Sequence, residues 1–179
     1  MAEGDRLPKA VRILGGLLLM TAFVLVCLFV VTRYAGYWGV PMFSFKTENG
    51  SVCKNNFAGY TCTELTLADV EFYGEVDLPD DSTVVEGSYT ATHDYALDVV
   101  LEVPKASADV ALKALANSFG PCREAASPLT AEGLSQRCAM TNDDVFGSED
   151  PRNRTRIFSV GTGVRKDGTR VIAMSVKSR

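Results

Sequence analysis

The sequence predicts an α+β protein in which an N-terminal transmembrane helix is followed by an antiparallel sheet, with one main amphipathic helix packed on one face of that sheet. Three observations support this prediction. An uncharged apolar run occupies residues 13–31, apolar and polar residues alternate through several later segments, and the segment between Pro104 and Pro121 carries helix start and stop signals.

The apolar run ILGGLLLMTAFVLVCLFVV is long enough to cross a bilayer. At a rise of about 1.5 Å per residue it covers roughly 28 Å, close to the thickness of the hydrocarbon core. A cleaved signal peptide is the alternative, but its apolar core is usually shorter and ends at small residues, whereas this run leaves through Thr32 and Arg33. We therefore predict a transmembrane helix over residues 13–32.

Basic residues flank this helix unequally. Residues 1–12 carry Arg6, Lys9 and Arg12, whereas the aromatic-rich flank on the other side carries only Arg33. The positive-inside rule then places residues 1–12 in the cytoplasm as a short tail. Residues 33–45 become a juxtamembrane segment, and residues 46–179 form a domain outside the plasma membrane.

The exterior part of the chain is acidic. It holds 14 of the 18 Lys and Arg residues and 20 of the 22 Asp and Glu residues, which gives a net charge of −6 after residue 33. Such a balance argues against a nucleic-acid partner and against adhesion to anionic lipid by charge alone.

Four cysteines follow the helix, namely Cys53, Cys62, Cys122 and Cys138. An even number in an exported domain predicts two disulfides. Three connectivities are possible, and the short intervening loops favour Cys53 with Cys62 and Cys122 with Cys138. A zinc site is the alternative, but there is no C-x-x-C pair and His93 is the only histidine, so we expect neither a metal nor another cofactor.

Alternating apolar residues predict a meander of three antiparallel strands over residues 70–78, 84–92 and 95–103. Turns are predicted at residues 79–82 and 93–94. Ahead of the meander, residues 39–65 are rich in Gly, Asn and Pro, which indicates short strands and turns with a hairpin turn at residues 48–51.

A helix is predicted over residues 108–119. Ser107 is placed to cap its first turn, and Gly120 followed by Pro121 is placed to end it. The helix needs a surface for its apolar stripe, and the strand at residues 95–103 offers an apolar face. The stripe consists of Ala108, Leu112, Leu115 and Phe119.

The remaining chain predicts a long connection and a hairpin. Residues 122–154 form the connection, with a short helix near residues 130–136. Strands at residues 156–165 and 169–177 are joined by a three-residue turn with Gly168 in the left-handed conformation. This register places the apolar side chains of both strands on one face, namely Phe158, Val160, Thr162, Val164, Ile172, Met174 and Val176.

The run LPDDSTVVEGSYTATHDYALDVVLEVPKASADVALKAL covers residues 78–115. It resembles a unit found in small exported, single-pass membrane proteins and lipoproteins of actinobacteria, in which an LP-x-x-x-x-V entry leads through two strands into an amphipathic helix. The resemblance implies an envelope protein. It carries no catalytic motif and transfers no functional residue to this chain.

No combination of residues in the sequence identifies a catalytic chemistry. His93 and Asp94 are the only imidazole and carboxylate neighbours, and they lie in a predicted turn. An acidic stretch at residues 143–150 lacks the spacing of a calcium loop, and close packing accounts for Gly161 and Gly163 better than a phosphate loop does. We therefore expect that the chain is not an enzyme.

The strongest local run of charge is the basic cluster formed by Arg152, Arg154 and Arg156. One interpretation is a contact surface for an anionic partner, such as a cell-wall polymer. The alternative is a set of solvated side chains that keep an exposed strand end soluble.

Two functional hypotheses follow. The first is a membrane-anchored, non-catalytic interaction module of the cell envelope that contacts an envelope protein or a cell-wall polymer. The second is an exterior domain that binds or hydrolyses a small ligand, with its site in residues 122–154. A pocket enclosed by that segment would favour the second hypothesis, whereas a flat exposed apolar patch would favour the first.

Overall fold

A computed structural model describes residues 8–123, 127–129, 133–142 and 155–178. The α+β prediction is confirmed, because an apolar N-terminal helix precedes an antiparallel sheet with two shorter helices. The described elements are α1 (Lys9–Tyr34), β1 (Ser44–Lys46), β2 (Val52–Asn55), β3 (Tyr60–Glu64), α2 (Leu67–Gly74), β4 (Thr83–Ala91), β5 (Tyr95–Val103), α3 (Ala108–Phe119), β6 (Ser135–Thr141), β7 (Arg156–Val164) and β8 (Arg170–Ser178). These strands form one sheet in the order β1-β2-β3-β4-β5-β8-β7-β6.

Within the described chain, α1 is the one helix that is long and apolar enough to cross a membrane. It has 26 residues, and none of its side chains is buried. The chain that follows it packs directly onto the sheet, because Ala35 is fully buried and the side-chain amide of Asn55 donates a hydrogen bond to the carbonyl of Gly36 at 2.6 Å. A Cβ atom at position 36 would overlap the carbonyl oxygen of Ser44, so glycine is required there. The helix therefore leads into β1 without a free linker.

The inward face of the sheet is continuous across its central strands. Tyr89 pairs with Leu97, Leu97 with Val176, and Val176 with Phe158, so one alternating set of side chains points the same way throughout. We call this the core face and the opposite side the outer face. The predicted β7–β8 register is confirmed, because Val164 pairs with Arg170 around a turn in which Gly168 has φ 92°.

Both shorter helices cover the core face. The helix α3 has the predicted bounds and contacts β6, while α2 contacts β5. Phe119 at the end of α3 meets Phe158 of β7, with 5.1 Å between ring centroids. The buried side chains of α3 and of β5 belong to one hydrophobic cluster, so the predicted placement of α3 on one face of the sheet is confirmed.

The start of α3 differs from the prediction. The Ser107 side chain forms no capping bond with the first turn; its hydroxyl donates to the carboxylate of Asp81 at 2.7 Å, which fastens the helix to the β4 approach. The buried stripe of α3 contains Ala111 as well as Ala108, Leu115 and Phe119, whereas Leu112 is only partly buried.

The predicted strand at residues 70–78 is wrong. Residues 67–74 form α2, which begins where Thr66 accepts a hydrogen bond from the backbone N–H of Asp69 and ends at Glu75, in the left-handed conformation with φ 52°. Val76 and Leu78 lie buried in extended chain after the helix, and this burial produced the alternating pattern. The sequence signal that was missed is the T-x-x-D capping pattern at residues 66–69.

Residues 122–154 are not one irregular connection, because residues 135–141 form β6 against β7. Residues 135 and 136 are therefore strand rather than helix, and residues 130–132 lie outside the described residues. The strand was hidden because its outer half, Ser135, Gln136 and Arg137, is polar and exposed, while only Cys138, Ala139 and Met140 are buried.

Candidate interaction surfaces

Both preferred disulfide pairings are present. Cys53 and Cys62 face each other across β2 and β3 with their Cα atoms 3.9 Å apart. Cys122 and Cys138 join the end of α3 to β6 with a Cα separation of 5.3 Å. Among the described residues the remaining cysteine is Cys27, which is free and exposed on α1.

Arg156, one of the three arginines of the predicted basic surface, is not on the surface. Arg156 is only 3% exposed, so its guanidinium is not available to an external partner. Its Nη1 atom donates to the carbonyl of Gly74 at 3.1 Å and pairs with the carboxylate of Glu75 at 3.0 Å. The guanidinium also lies 5.4 Å from the ring centroid of Phe119, a cation–π distance. Arg152 and Arg154 lie outside the described residues.

A second buried arginine lies at the other end of α3. Arg170 is 1% exposed; its Nε donates to the carbonyl of Ala108 at 2.9 Å and its Nη1 to the hydroxyl of Thr162 at 3.4 Å. Burial lowers the pKa of Arg170, and nearby Asp109 opposes this shift. Arg156 is two residues before the core-face residue Phe158 on β7, and Arg170 is two residues before Ile172 on β8. Side chains two residues apart on a strand point to the same face, so the predicted hairpin register could have predicted that both arginines are buried.

A buried polar cluster joins the 48–51 turn to α2. The carboxylate of Asp69, which is 2% exposed, accepts hydrogen bonds from the side chains of Thr47 and Asn49 and from the backbone of Ser51. Burial by itself would raise the pKa of Asp69, but hydrogen bonds from Ser51, Thr47 and Asn49 outweigh it and the pKa is lowered. The cluster therefore stabilises the loop and the helix start as a structural unit.

We expect Asp69→Asn to lower the free energy of unfolding at neutral pH, with a difference from the wild type that shrinks in acid. The folded-state pKa lies below the unfolded value near 3.8, so the carboxylate's contribution is complete above that value and is lost as the pH falls through the folded pKa. Urea unfolding across the acid range measures this difference. Exposed Asp77→Asn is the control, and a difference for Asp69→Asn that stays constant with pH would contradict the assignment.

Aromatic side chains form a continuous chain of contacts from the end of α1 into the core. Ring centroids are 6.4 Å apart for Tyr37 and Phe45, 5.3 Å for Phe45 and Tyr60, and 6.1 Å for Tyr60 and Tyr89. Tyr73 stacks on Tyr89 at 3.7 Å. Burial and the neighbouring Tyr60 and Tyr95 raise the pKa of Tyr89 to about 12, so Tyr89 stays neutral in ordinary conditions. The cluster packs the membrane-proximal segment against the domain.

The outer face is covered at one side and open at the other. On β7, a Cβ atom at Gly161 or Gly163 would collide with residues 127–129 or with Leu134, so the two glycines permit close packing, as expected. On β3, β4 and β5 the face carries an open groove of about 610 Å³. Its polar lining combines the carboxylates of Glu86 and Asp98 with hydroxyl groups.

This groove does not lie where the second hypothesis placed a site. Its lining residues in the described part of the chain are Thr63, Val85, Glu86, Gly87, Ser88, Asp98, Val99 and Val100, and none of these belongs to residues 122–154. Much of that segment, including the acidic residues 143–150, is outside the described residues. His93 and Asp94 are exposed in the β4–β5 turn, as predicted. Across the part of the chain that the structure describes, no three His, Cys, Asp or Glu side chains are grouped as a metal site.

No protein-family model, curated protein or solved structure matches this chain.

Proposed function

We propose that this chain is a single-pass envelope protein whose domain lies outside the cytoplasm and acts as a non-catalytic interaction module. The partner is an envelope protein or a cell-wall polymer that contacts the outer face of β3, β4 and β5. The observation that carries the proposal is the asymmetry of the sheet: helices pack on its core face, while the groove on the outer face stays open.

The anchoring part of the proposal is supported by α1 and by the disulfides. An apolar helix with no buried side chain has the surface of a membrane-spanning segment rather than of a core helix. Two disulfides are typical of proteins in oxidising compartments. With three basic residues before the uncharged apolar run and one directly after it, we propose that the N-terminus is cytoplasmic.

The chemistry of the groove supports a partner with hydrogen-bond donors or positive charge. Glu86 and Asp98 are exposed on neighbouring strands, and Thr63 and Ser88 add hydroxyl groups beside them. Val85, which is also exposed, adds an apolar contact at the bulge in β4. A groove of this kind suits an extended polar segment, such as a peptide or glycan strand, in place of a small apolar ligand.

One cysteine-labelling experiment tests both topology and surface. In a Cys27→Ala background, Ser88→Cys puts a thiol in the groove and Lys113→Cys puts one on the exposed side of α3. A membrane-impermeant, thiol-reactive photocrosslinker should label both variants from outside intact cells. Labelling that requires lysis would overturn the proposed orientation.

Illumination then tests the outer face. The Ser88→Cys variant should capture a discrete partner, because its thiol lies in the proposed contact surface. The Lys113→Cys variant should not, because it lies on the helix-covered side of the molecule. Equal capture from both positions, or capture from neither, would contradict the assignment of the groove as the contact surface.

A further inference from the structure

Among the described residues beyond α1, Phe57 has the largest exposed fraction of the large apolar side chains. Phe72 on α2 and Val110 on α3 are exposed singly, whereas several exposed apolar side chains lie together close to where α1 ends. Phe57 is 94% exposed, Met42 69% and Trp38 60%, and Tyr34 and Tyr37 are also exposed. A folded domain ordinarily covers most aromatic surface, so a nearly fully exposed phenyl ring beside other exposed aromatic residues indicates a contact surface.

Hydrogen bonds hold these residues at one end of the sheet. Phe57 lies at the tip of the β2–β3 hairpin, residues 56–59, and Asn55 at the base of this tip contacts the chain leaving α1. The backbone N–H of Met42 donates to the carbonyl of Asn55 at 2.9 Å, and the Asn55 side chain donates to Gly36. The tip is thus fastened to the juxtamembrane segment.

The tip itself is a defined turn. The backbone N–H of Asn56 donates to the carbonyl of Gly59 at 2.8 Å, and the side chain of Asn56 accepts from the N–H of Ala58 at 2.8 Å. Gly59, at φ 159°, lies against the carbonyl of Ala91, so the tip is also braced by the β4–β5 hairpin. This turn therefore holds Phe57 outward while neighbouring hairpins support it.

We propose that the β2–β3 tip rests in the outer headgroup region of the bilayer that α1 crosses, with Phe57 inserted beside Trp38 and Met42. The proposal rests on the proposed membrane anchoring. Aromatic side chains favour this interfacial layer, where their rings leave water without entering the hydrocarbon centre. Apolar insertion, and not charge, supplies the contact, because the exterior part of the chain carries a net charge of −6.

The contact determines how the domain presents its outer face. The α1 end of the sheet carries the tips of the β2–β3 and β4–β5 hairpins, so strands seated on these tips rise away from the bilayer. The outer face of β3, β4 and β5 then looks sideways along the membrane. Its partner accordingly lies beside the protein, close to the membrane surface.

Bromine-labelled lipid measures the depth of residue 57 directly. Trp38 is the only tryptophan in the sequence, so a Trp38→Phe background allows single-tryptophan variants. Phe57→Trp tests the tip, and Val110→Trp is the control, because Val110 is exposed at the start of α3 near the opposite end of the sheet. Both full-length variants are reconstituted in phosphatidylcholine vesicles with bromine near the headgroup end of the acyl chains.

The Phe57→Trp variant should show blue-shifted emission and several-fold stronger quenching than the Val110→Trp variant. Equal, weak quenching would overturn the proposal, and so would an emission that is blue-shifted but unquenched, which would indicate a protein contact instead. Flotation after alkaline extraction tests the membrane anchor separately from the contact of the tip with the bilayer. Variants that float without quenching at residue 57 leave the anchor in place and refute only the tip contact, whereas variants that do not float refute the anchor as well.

Discussion

Leu115→Ala is expected to lower the free energy of unfolding of the domain by about 2 to 5 kcal/mol, because the change removes buried methyl groups and leaves a cavity. Leu115 is fully buried in the core-face cluster and lies in the middle of α3. Ala111 and Phe119, one turn before and one turn after it on α3, are buried in the same cluster. A loss of this size is a large fraction of the stability of an ordinary domain.

Leu112→Ala is the matched control for this prediction. It removes the same atoms from the same helix, but Leu112 is only partly buried at the edge of the cluster, so the cost should be clearly smaller. Urea unfolding of the full-length protein in detergent, followed by the near-ultraviolet signal of the tyrosine cluster, measures both. Equal stability of Leu115→Ala and the wild type would mean that α3 is not docked on the sheet.

Arg156→Ala is expected to cost about 2 to 4 kcal/mol, because it empties a buried site and removes hydrogen bonds to the end of α2. The guanidinium of Arg156 lies over the rings of Phe119 and Phe158, and its Nη1 atom contacts the carbonyl of Gly74 and the carboxylate of Glu75. Glu75 is 66% exposed, so most of the effect should come from packing and from the Gly74 carbonyl, not from the ion pair.

Two further variants separate these contributions. Arg156→Met keeps most of the volume and should recover much of the lost stability, because the Nε of Arg156 has no hydrogen-bond partner among the described residues. Glu75→Gly should cost little, because glycine adopts φ 52° more easily than glutamate. Arg165→Ala, at an exposed position in the β7–β8 turn, is the surface control. If Arg156→Ala is no more destabilising than Arg165→Ala, Arg156 is not part of the core.

The position of Arg156 changes the meaning of the basic cluster. A sequence run of three arginines suggested one surface, but β7 begins at Arg156, and alternation along the strand turns that side chain toward the core face. Substitutions that test partner binding by the cluster should therefore be made at Arg152 and Arg154. A stability loss in Arg156→Ala would otherwise be mistaken for a loss of partner contacts.

Several elements could be predicted from the sequence because their signals are local. Strands β4 and β5, the bounds of α3 and the three-residue turn before β8 followed from alternation, from the Gly120-Pro121 stop and from Gly168. The apolar length of α1 followed from composition, and the pairings of Cys53 with Cys62 and Cys122 with Cys138 from short loops. Each of these signals depends on residues that are close in sequence or on a disulfide that closes one short loop.

The surface that each element covers depends on contacts between distant segments, which local patterns do not encode. Val70 lies on the buried face of α2, and Val76 lies in the extended chain after that helix. Because both side chains are buried, the apolar residues of the two segments followed the alternating pattern of a single strand. The strand β6 was hidden because half of it is polar and exposed, and β8 lies between β5 and β7, so that β5 pairs with a segment distant in sequence. The pairing of strands that are distant in sequence depends on which strand edges come together when the hydrophobic core forms. The hydrophobic periodicity within one strand does not specify its partner strand.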